Sequence, residues 1–313
     1  MTASPAVPAP KRARQISAAR VLTWMFAWSV VLIAALMVLE LYRNSTLSLR
    51  KFGLSFLFSG AWDPVAGRFG ALPFIYGTLV TSALALLIAV PLGLGAAIFL
   101  SELAPPRLSD ALTFIIELLA AVPSVIYGLL GVFILAPVMR GVVQPALQGT
   151  LGFLPFFRGP NYGVGILTAG VVLAIMILPF IVSIAREALM GVPRDQREAA
   201  LAVGATRWEA TWRVVVPYAR LGIFGAVFLA LARALGETMA VTMVVGNDPR
   251  ISASLFAPGY SIAAVIANEF TEATADLHLS ALIELGLVLF LITILINGFA
   301  RLLILATRRK GAA

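Results

Sequence analysis

The sequence contains no cysteine and a single histidine among its 313 residues. Disulfide bonds and thiolate metal sites are therefore excluded, and one histidine offers no metal cluster and no convincing Ser/His/Asp grouping. Charged residues amount to only 12%, whereas a soluble domain carries roughly a quarter. No GxxxxGK[ST] phosphate loop occurs. These absences argue against an enzyme and against a chain that binds nucleotide or a cofactor itself.

Apolar residues dominate what is present, at 60% of the chain with a mean hydropathy of +0.98. A membrane-spanning helix needs about 20 mostly apolar residues, and six segments meet that length. None shows the strict alternation of barrel strands. We therefore predict an all-α, polytopic membrane bundle in one transmembrane domain, residues 21–305, with spans at about 21–42, 73–100, 111–139, 163–187, 218–246 and 280–305.

The two ends of the chain are predicted to be cytoplasmic tails, a disordered one at 1–20 and a short one at 306–313. The apolar block after residue 20 exceeds the roughly 7–15 residues of a signal peptide, so it is interpreted as a retained helix. This orientation places 15 of the 23 Lys and Arg residues inside and 7 outside, as the positive-inside rule favours. Segment 43–72 is expected to lie at the outer interface as an amphipathic stretch, and His278 is interpreted as incidental.

Segment 193–217 is the most distinctive stretch of the predicted inner face. Pro193 suits the first turn of a helix, the run Glu198-Ala199-Ala200 favours helix, and Gly204 can end it in the left-handed conformation. We predict a short helix with a small, alanine-rich exposed face that another protein can approach closely. An ordinary interfacial helix that happens to contain these residues is the alternative.

Two charges fall within the predicted fifth span, where an ionisable residue is costly and therefore a functional candidate. Arg233 lies near mid-depth, and Glu237, four positions later, would share its helix face. A guanidinium matches the oxygens of an oxyanion, so both residues are candidates for a substrate pathway. A purely structural ion pair is the alternative.

Three further residues are weaker candidates. Glu117 and Ser124 belong to the predicted third span, beside Pro123, and would contribute to a pathway or gate. Glu117 and Glu284 lie within reach of the membrane surfaces, so we expect both side chains to extend toward an interface.

The spacing in 193–217 resembles the EAA loop of ABC importer permeases. That pattern has EAA, three residues, Gly, nine residues and then Ile-x-Leu-Pro; Val214 and Val216 replace Ile and Leu here. Further strings are similar to the C-type permeases of the phosphate-specific transport system, and the similarity extends from about residue 20 to 305. These strings are residues 73–79, 117–129, 233–247, 254–258 and 267–270.

The resemblance implies a type I ABC importer permease fold in the bacterial inner membrane and ATP-driven phosphate import by alternating access. It implies that Arg233 and Glu237 serve transport and that Glu198, Ala199, Ala200 and Gly204 dock on the ATPase. The implied partners are an A-type permease, two ATPase subunits that use ATP and Mg²⁺, and a phosphate-binding protein. An importer of sulfate or molybdate remains an alternative, as does, less well supported, an ATPase-independent secondary transporter or channel.

Overall fold

The computed structural model describes the backbone of residues 12–310 and the side chains of residues 19–302. Within this range the regular structure is helical, with only two isolated bridge pairs, which confirms the all-α prediction. Residues 1–11 and 311–313, and with them half of the predicted tails, lie outside the described residues. The helices are α1 Arg12–Asn44, α2 Thr46–Phe52, α3 Ser55–Phe58, α4 Leu72–Leu103, α5 Pro106–Ala120, α6 Ser124–Leu151, α7 Ile166–Met190, α8 Arg194–Ala202, α9 Arg207–Leu235, α10 Met239–Val244, α11 Ile262–Glu269 and α12 Asp276–Lys310.

Six helices of the described chain are long and apolar enough to cross a membrane, namely α1, α4, α6, α7, α9 and α12. Their burial separates the centre of the bundle from its edge. In the most apolar part of α7, 72% of the residues are buried, whereas none is buried in that of α1. The bundle is therefore built around α7, and α1 lies at its periphery with its apolar surface turned toward lipid.

Helices α4 and α7 pack closely because glycine occupies the points of contact. A Cβ added to Gly93 would lie 2.8 Å from Ile181 Cγ2, and one added to Gly170 would lie 2.8 Å from Leu84 Cβ. Small residues allow such close approach between helices in membranes. The glycine at 93 thus serves helix packing, whereas Gly95 faces open space.

The predicted third span, 111–139, is wrong. The chain forms α5, breaks at Val122 and Pro123, and crosses in α6, which ends at Leu151. A proline disfavours helical geometry in the residue before it, so the helix cannot run through Pro123. Residues 141–151, expected in a loop, belong to this span, whereas Glu117 belongs to α5 and not to the span.

The fifth and first spans also differ from the predictions. The fifth starts earlier, at Arg207, and is interrupted after Leu235, so that 218–246 is not one helix. Gly236 stands at the interruption, where its low helix propensity favours a break. Helix α1 starts at Arg12, inside the predicted disordered tail, because no glycine or proline separates residues 12–20 from the apolar block.

At the end of the bundle opposite α8, hereafter the far end, segment 43–72 folds against the protein. Phe56 is fully buried in a core cluster with α11 and α12, so the segment is not simply an interfacial stretch. His278 is not incidental either, because it is 8% exposed, stacks on Phe69 and lies 3.0 Å from Glu269 Oε2. The Trp62 indole donates to the same carboxylate.

Glu284 does not extend to an interface. It is 3% exposed within α12, beside Ser48 of α2, and its Oε2 has no hydrogen-bond partner. Segment 43–72 covers it, which the position in the sequence did not indicate.

Candidate functional site

The segment predicted to couple the bundle to another protein folds as a helix, a tight stop and a second helix. Pro193 precedes α8, and Gly204 ends the turn after it with φ +91°, as expected from its freedom in the left-handed region. Thr206 and Glu209 then form a capping box that starts α9. This geometry gives the connection from α7 to α9 a defined shape.

The four predicted docking residues lie on the surface of this segment. Glu198, Ala199 and Gly204 are exposed and Ala200 is half-buried. A Cβ at Gly204 would meet nothing within 4 Å, so open space lies beside this glycine. The segment thus presents a low face, with small residues beside the Glu198 carboxylate, that a second protein can contact closely.

The two predicted pathway residues flank a break in the bundle. Arg233 is in the last turn of α9, Gly236 and Glu237 are non-helical, and α10 begins at Met239. The Glu237 carboxylate accepts a hydrogen bond of 3.2 Å from the Ala240 N–H, so it caps the first turn of α10. The expected shared helix face does not exist, because the helix is interrupted between the two residues.

No ion pair joins Arg233 to Glu237 in the described structure, so these two residues do not pair with each other. A structural role through a neighbouring helix stays the alternative. The Arg233 guanidinium instead lies over the ring of Phe180 of α7, with Cζ 4.1 Å from the ring centroid. This cation–π contact stabilises the charge without using a hydrogen-bond donor. The buried Arg233 Nε has no hydrogen-bond partner in the described structure, so this donor is available to a ligand or a water molecule.

The surroundings of the break are apolar and closely packed. Ala230, Ala234 and Ala240 belong to the central core cluster, together with residues of α4 and α7. Tyr127 of α6 lies within electrostatic range of Arg233, but its hydroxyl donates to Leu119 O. The low dielectric of such a site strengthens any interaction between Arg233 and an anion.

The other two gate candidates lie apart from Arg233. Glu117 is exposed on α5, and Ser124 is the half-buried first residue of α6. A cavity of about 450 Å³ follows α6 and is lined mainly by apolar side chains, with Tyr127 as its main polar one. Arg233, Glu117 and Ser124 are not among its lining residues, so this cavity is not an anion path within the single chain.

A second group of cations lies at the far end. Arg158 and Arg250 line a cleft of about 380 Å³. Arg158 donates to Gly152 O and Phe153 O, and Arg250 binds Asp248, with Nε 2.9 Å from both carboxylate oxygens. These hydrogen bonds hold the pKa of Asp248 below its usual value. Because its charge is compensated by Asp248, Arg250 is a weaker anion receptor than Arg233.

Sequence reasoning missed two parts of the site. Phe180 is one of 19 phenylalanines, and only its position after Pro179 distinguishes it. Arg197, directly before the EAA string, carries a network of hydrogen bonds to α4 and α7. Its charge was visible in the sequence, but its inward direction was not.

Residues 89–309 match the family model described as "Binding-protein-dependent transport system inner membrane component". A "Phosphate transport system permease protein PstC" from Mesorhizobium japonicum is 53% identical over 88% of this chain and 85% of the relative. The protein of the same name from Xylella fastidiosa (strain Temecula1) is 50% identical over 82% and 81%.

Among solved structures, a bacterial alginate ABC transporter in complex with its alginate-pentasaccharide-bound periplasmic protein has a chain of similar fold. Its TM-score is 0.59 at 18% identity, over 92% of this chain and 94% of that one. At this identity the likeness concerns the fold alone, and it agrees with the expected type I ABC importer permease architecture.

Proposed function

The chain belongs to the family of binding-protein-dependent transport system inner membrane components and, within it, to the phosphate transport system permease proteins PstC, and we propose on that basis that it is the membrane permease subunit of an ATP-driven importer of inorganic phosphate. It is not itself an enzyme, since ATP hydrolysis in such a transporter belongs to a separate subunit.

The observation that carries the proposal is the unpaired guanidinium of Arg233 at the break between α9 and α10. Interrupted helices inside membrane bundles line ion and substrate sites in transporters. A phosphate leaving water loses its hydration, and buried charge is costly unless it is paired and hydrogen-bonded. Arg233 supplies both the charge and a fork of donors suited to phosphate oxygens.

Glu237 has a complementary role in this proposal. Its carboxylate stays in the non-helical segment and caps α10, a few residues from Arg233 in the chain and without an ion pair to it. A phosphate bound at Arg233 therefore meets a nearby repulsive charge. This weakens the binding enough for release, as transport through a binding site requires.

The proposed orientation places α8 and both chain termini in the cytoplasm and the far end outside the bacterial inner membrane. The distribution of Lys and Arg supports it. The exposed Glu198, Ala199, Ala200 and Gly204 then form the docking face for an ATPase subunit that binds ATP and Mg²⁺. Two such ATPases, a related A-type permease and a phosphate-binding protein complete the proposed complex.

Alternating access follows from these parts in the proposal. Closure of the ATPase dimer moves α8, and α8 moves the ends of α7 and α9 that it joins. The site at Arg233 then opens toward the far end to receive phosphate. Within this scheme the A-type permease provides the second wall of the path, which agrees with the half-buried state of Arg233 in the single chain.

The test is uptake of labelled phosphate by the full complex reconstituted in proteoliposomes, with sulfate and molybdate as competitors. We expect ATP-dependent phosphate uptake that sulfate does not suppress, and loss of uptake in Arg233→Gln with all subunits still bound. Arg301→Gln, at an exposed position of α12, controls for general damage. Uptake of sulfate in place of phosphate would refute the substrate, and undiminished uptake by Arg233→Gln would refute the role of the site.

A further inference from the structure

Helix α8 has no apolar anchor in the bundle. None of its residues, Arg194–Ala202, is buried, and its C-terminal side leads into the exposed turn at Gly204. If a docked protein displaces this helix, the displacement reaches the bundle only where the helix is attached to the membrane spans. For α8 that attachment has to be polar or covalent.

The guanidinium of Arg197 provides a polar attachment with several hydrogen bonds. Its Nε lies 3.1 Å from Glu102 Oε2 and its Nη2 lies 2.8 Å from Glu102 Oε1, a bidentate ion pair. Nη1 donates to Val192 O, and Nη2 also donates to Leu189 O at 2.7 Å. The side chains are only 22% exposed for Arg197 and 10% for Glu102, so water screens this pair less than a surface pair.

The partners of Arg197 belong to the two spans that form the centre of the bundle. Glu102 is in the last turn of α4, and Leu189 is at the end of α7. Immediately behind them, residues of both helices share one apolar cluster that includes Ile98 and Val182. A displacement of Arg197 therefore acts on the joined ends of α4 and α7 together.

Cavities beside the ion pair leave room for α8 to shift if the pair is removed. A cavity of about 190 Å³ and another of about 380 Å³ are each lined by both Glu102 and Arg197. Without the pair, α8 has room to shift against α4. The guanidinium also points inward, with all three nitrogens engaged, so Arg197 is not free to serve as a docking contact.

We propose that Arg197 and Glu102 are positioning residues that transmit the movement of α8 to α4 and α7 and thereby couple ATP hydrolysis to phosphate uptake. This inference rests on the proposed function. Lysine at position 197 keeps the charge but offers no planar fork, so it can hold Glu102 but not the two carbonyls in the same geometry. The pair therefore requires arginine specifically.

The experiment measures ATP hydrolysis and phosphate uptake in the same proteoliposomes, with the complete complex and its binding protein. We compare Arg197→Gln, Glu102→Gln, Arg197→Lys and the reversed pair Glu102→Arg/Arg197→Glu. Arg107→Gln, which removes an exposed arginine near Glu102 in the chain, is the matched control. Co-purification of the ATPase subunit reports assembly for every variant.

We expect Arg197→Gln and Glu102→Gln to lower uptake per ATP hydrolysed by about tenfold or more, since they remove hydrogen bonds to a charged group. Arg197→Lys should fall between them and the wild type, and Arg107→Gln should match the wild type. The reversed pair should stay near the single variants, because a glutamate at 197 cannot donate to the Val192 and Leu189 carbonyls. An unchanged ratio in Arg197→Gln overturns the inference.

Two further outcomes separate failure of this inference from failure of the proposed function. If every Arg197 and Glu102 variant loses the ATPase subunit, the pair serves assembly and not transmission, which also overturns the inference. If the wild-type complex takes up no phosphate, the proposed function fails, whatever the variants do.

Discussion

Replacing Phe180 by leucine should lower phosphate uptake by up to about 30-fold. The ring faces the Arg233 guanidinium at 4.1 Å from its centroid, and a desolvated cation–π contact contributes about 2 kcal/mol. Because about 1.4 kcal/mol corresponds to a tenfold change in rate, complete loss of this contact in the transport step gives that factor. Leucine keeps an apolar side chain at the position, so most of the packing of α7 is retained.

The assay is the initial rate of phosphate uptake into proteoliposomes at several phosphate concentrations, normalised to the amount of assembled complex. Phe180→Trp should retain most of the activity if the indole fits, since tryptophan is the strongest cation–π acceptor. Phe133→Leu is the matched control, because Phe133 is an exposed phenylalanine of α6. Full uptake by Phe180→Leu, or an equal loss in Phe133→Leu, would refute the assigned contact.

The remaining predictions concern the coupling segment, the packing and the orientation. Gly204→Asp should uncouple ATP hydrolysis from uptake while the protein still inserts, because a charged side chain then occupies the open docking face at a φ of +91°; normal coupling would count against the docking role. Gly93→Ala should lower the free energy of unfolding of the purified complex by about 1–3 kcal/mol, because the added methyl group overpacks against Ile181. Gly95→Ala, with open space around it, should not. Equal melting temperatures for the two variants would contradict the packing argument. A reporter fused after Lys310 should be active as a cytoplasmic fusion, and an external signal would reverse the orientation.

The fold class followed from composition because lipid restricts the possible structures so strongly. Hydropathy located six spans but failed at their interruptions, since Pro123 and Gly236 both lie within long, mainly apolar segments. Proline and glycine were visible there, yet many membrane helices continue through such residues with only a bend. Which of them ends a helix depends on the packing of neighbouring helices, and that is not a local property of the sequence.

Only part of the candidate site was predicted from the sequence. The cost of a charge in lipid identified Arg233 from the sequence alone. The predicted helix face shared by Arg233 and Glu237 was wrong, because helical spacing was assumed across a break. Its actual neighbour, Phe180, is far away in the chain, and only the crossing of α7 and α9 brings the two together. Burial of Glu284 was likewise hidden, because it depends on how segment 43–72 folds back.

The order of elements along the chain connects the two functional regions. The coupling segment joins α7 directly to α9, and these are the helices that carry Phe180 and Arg233. Phe180 lies nine residues before Leu189, which accepts a hydrogen bond from Arg197, or about 14 Å along the helix. In the proposed mechanism, a shift of α8 therefore acts on both sides of the Arg233–Phe180 contact, and unequal movement of α7 and α9 would change the exposure of the guanidinium. Helices α1 and α12 are not continuous with α8, so the coupling segment acts on them only through their packing.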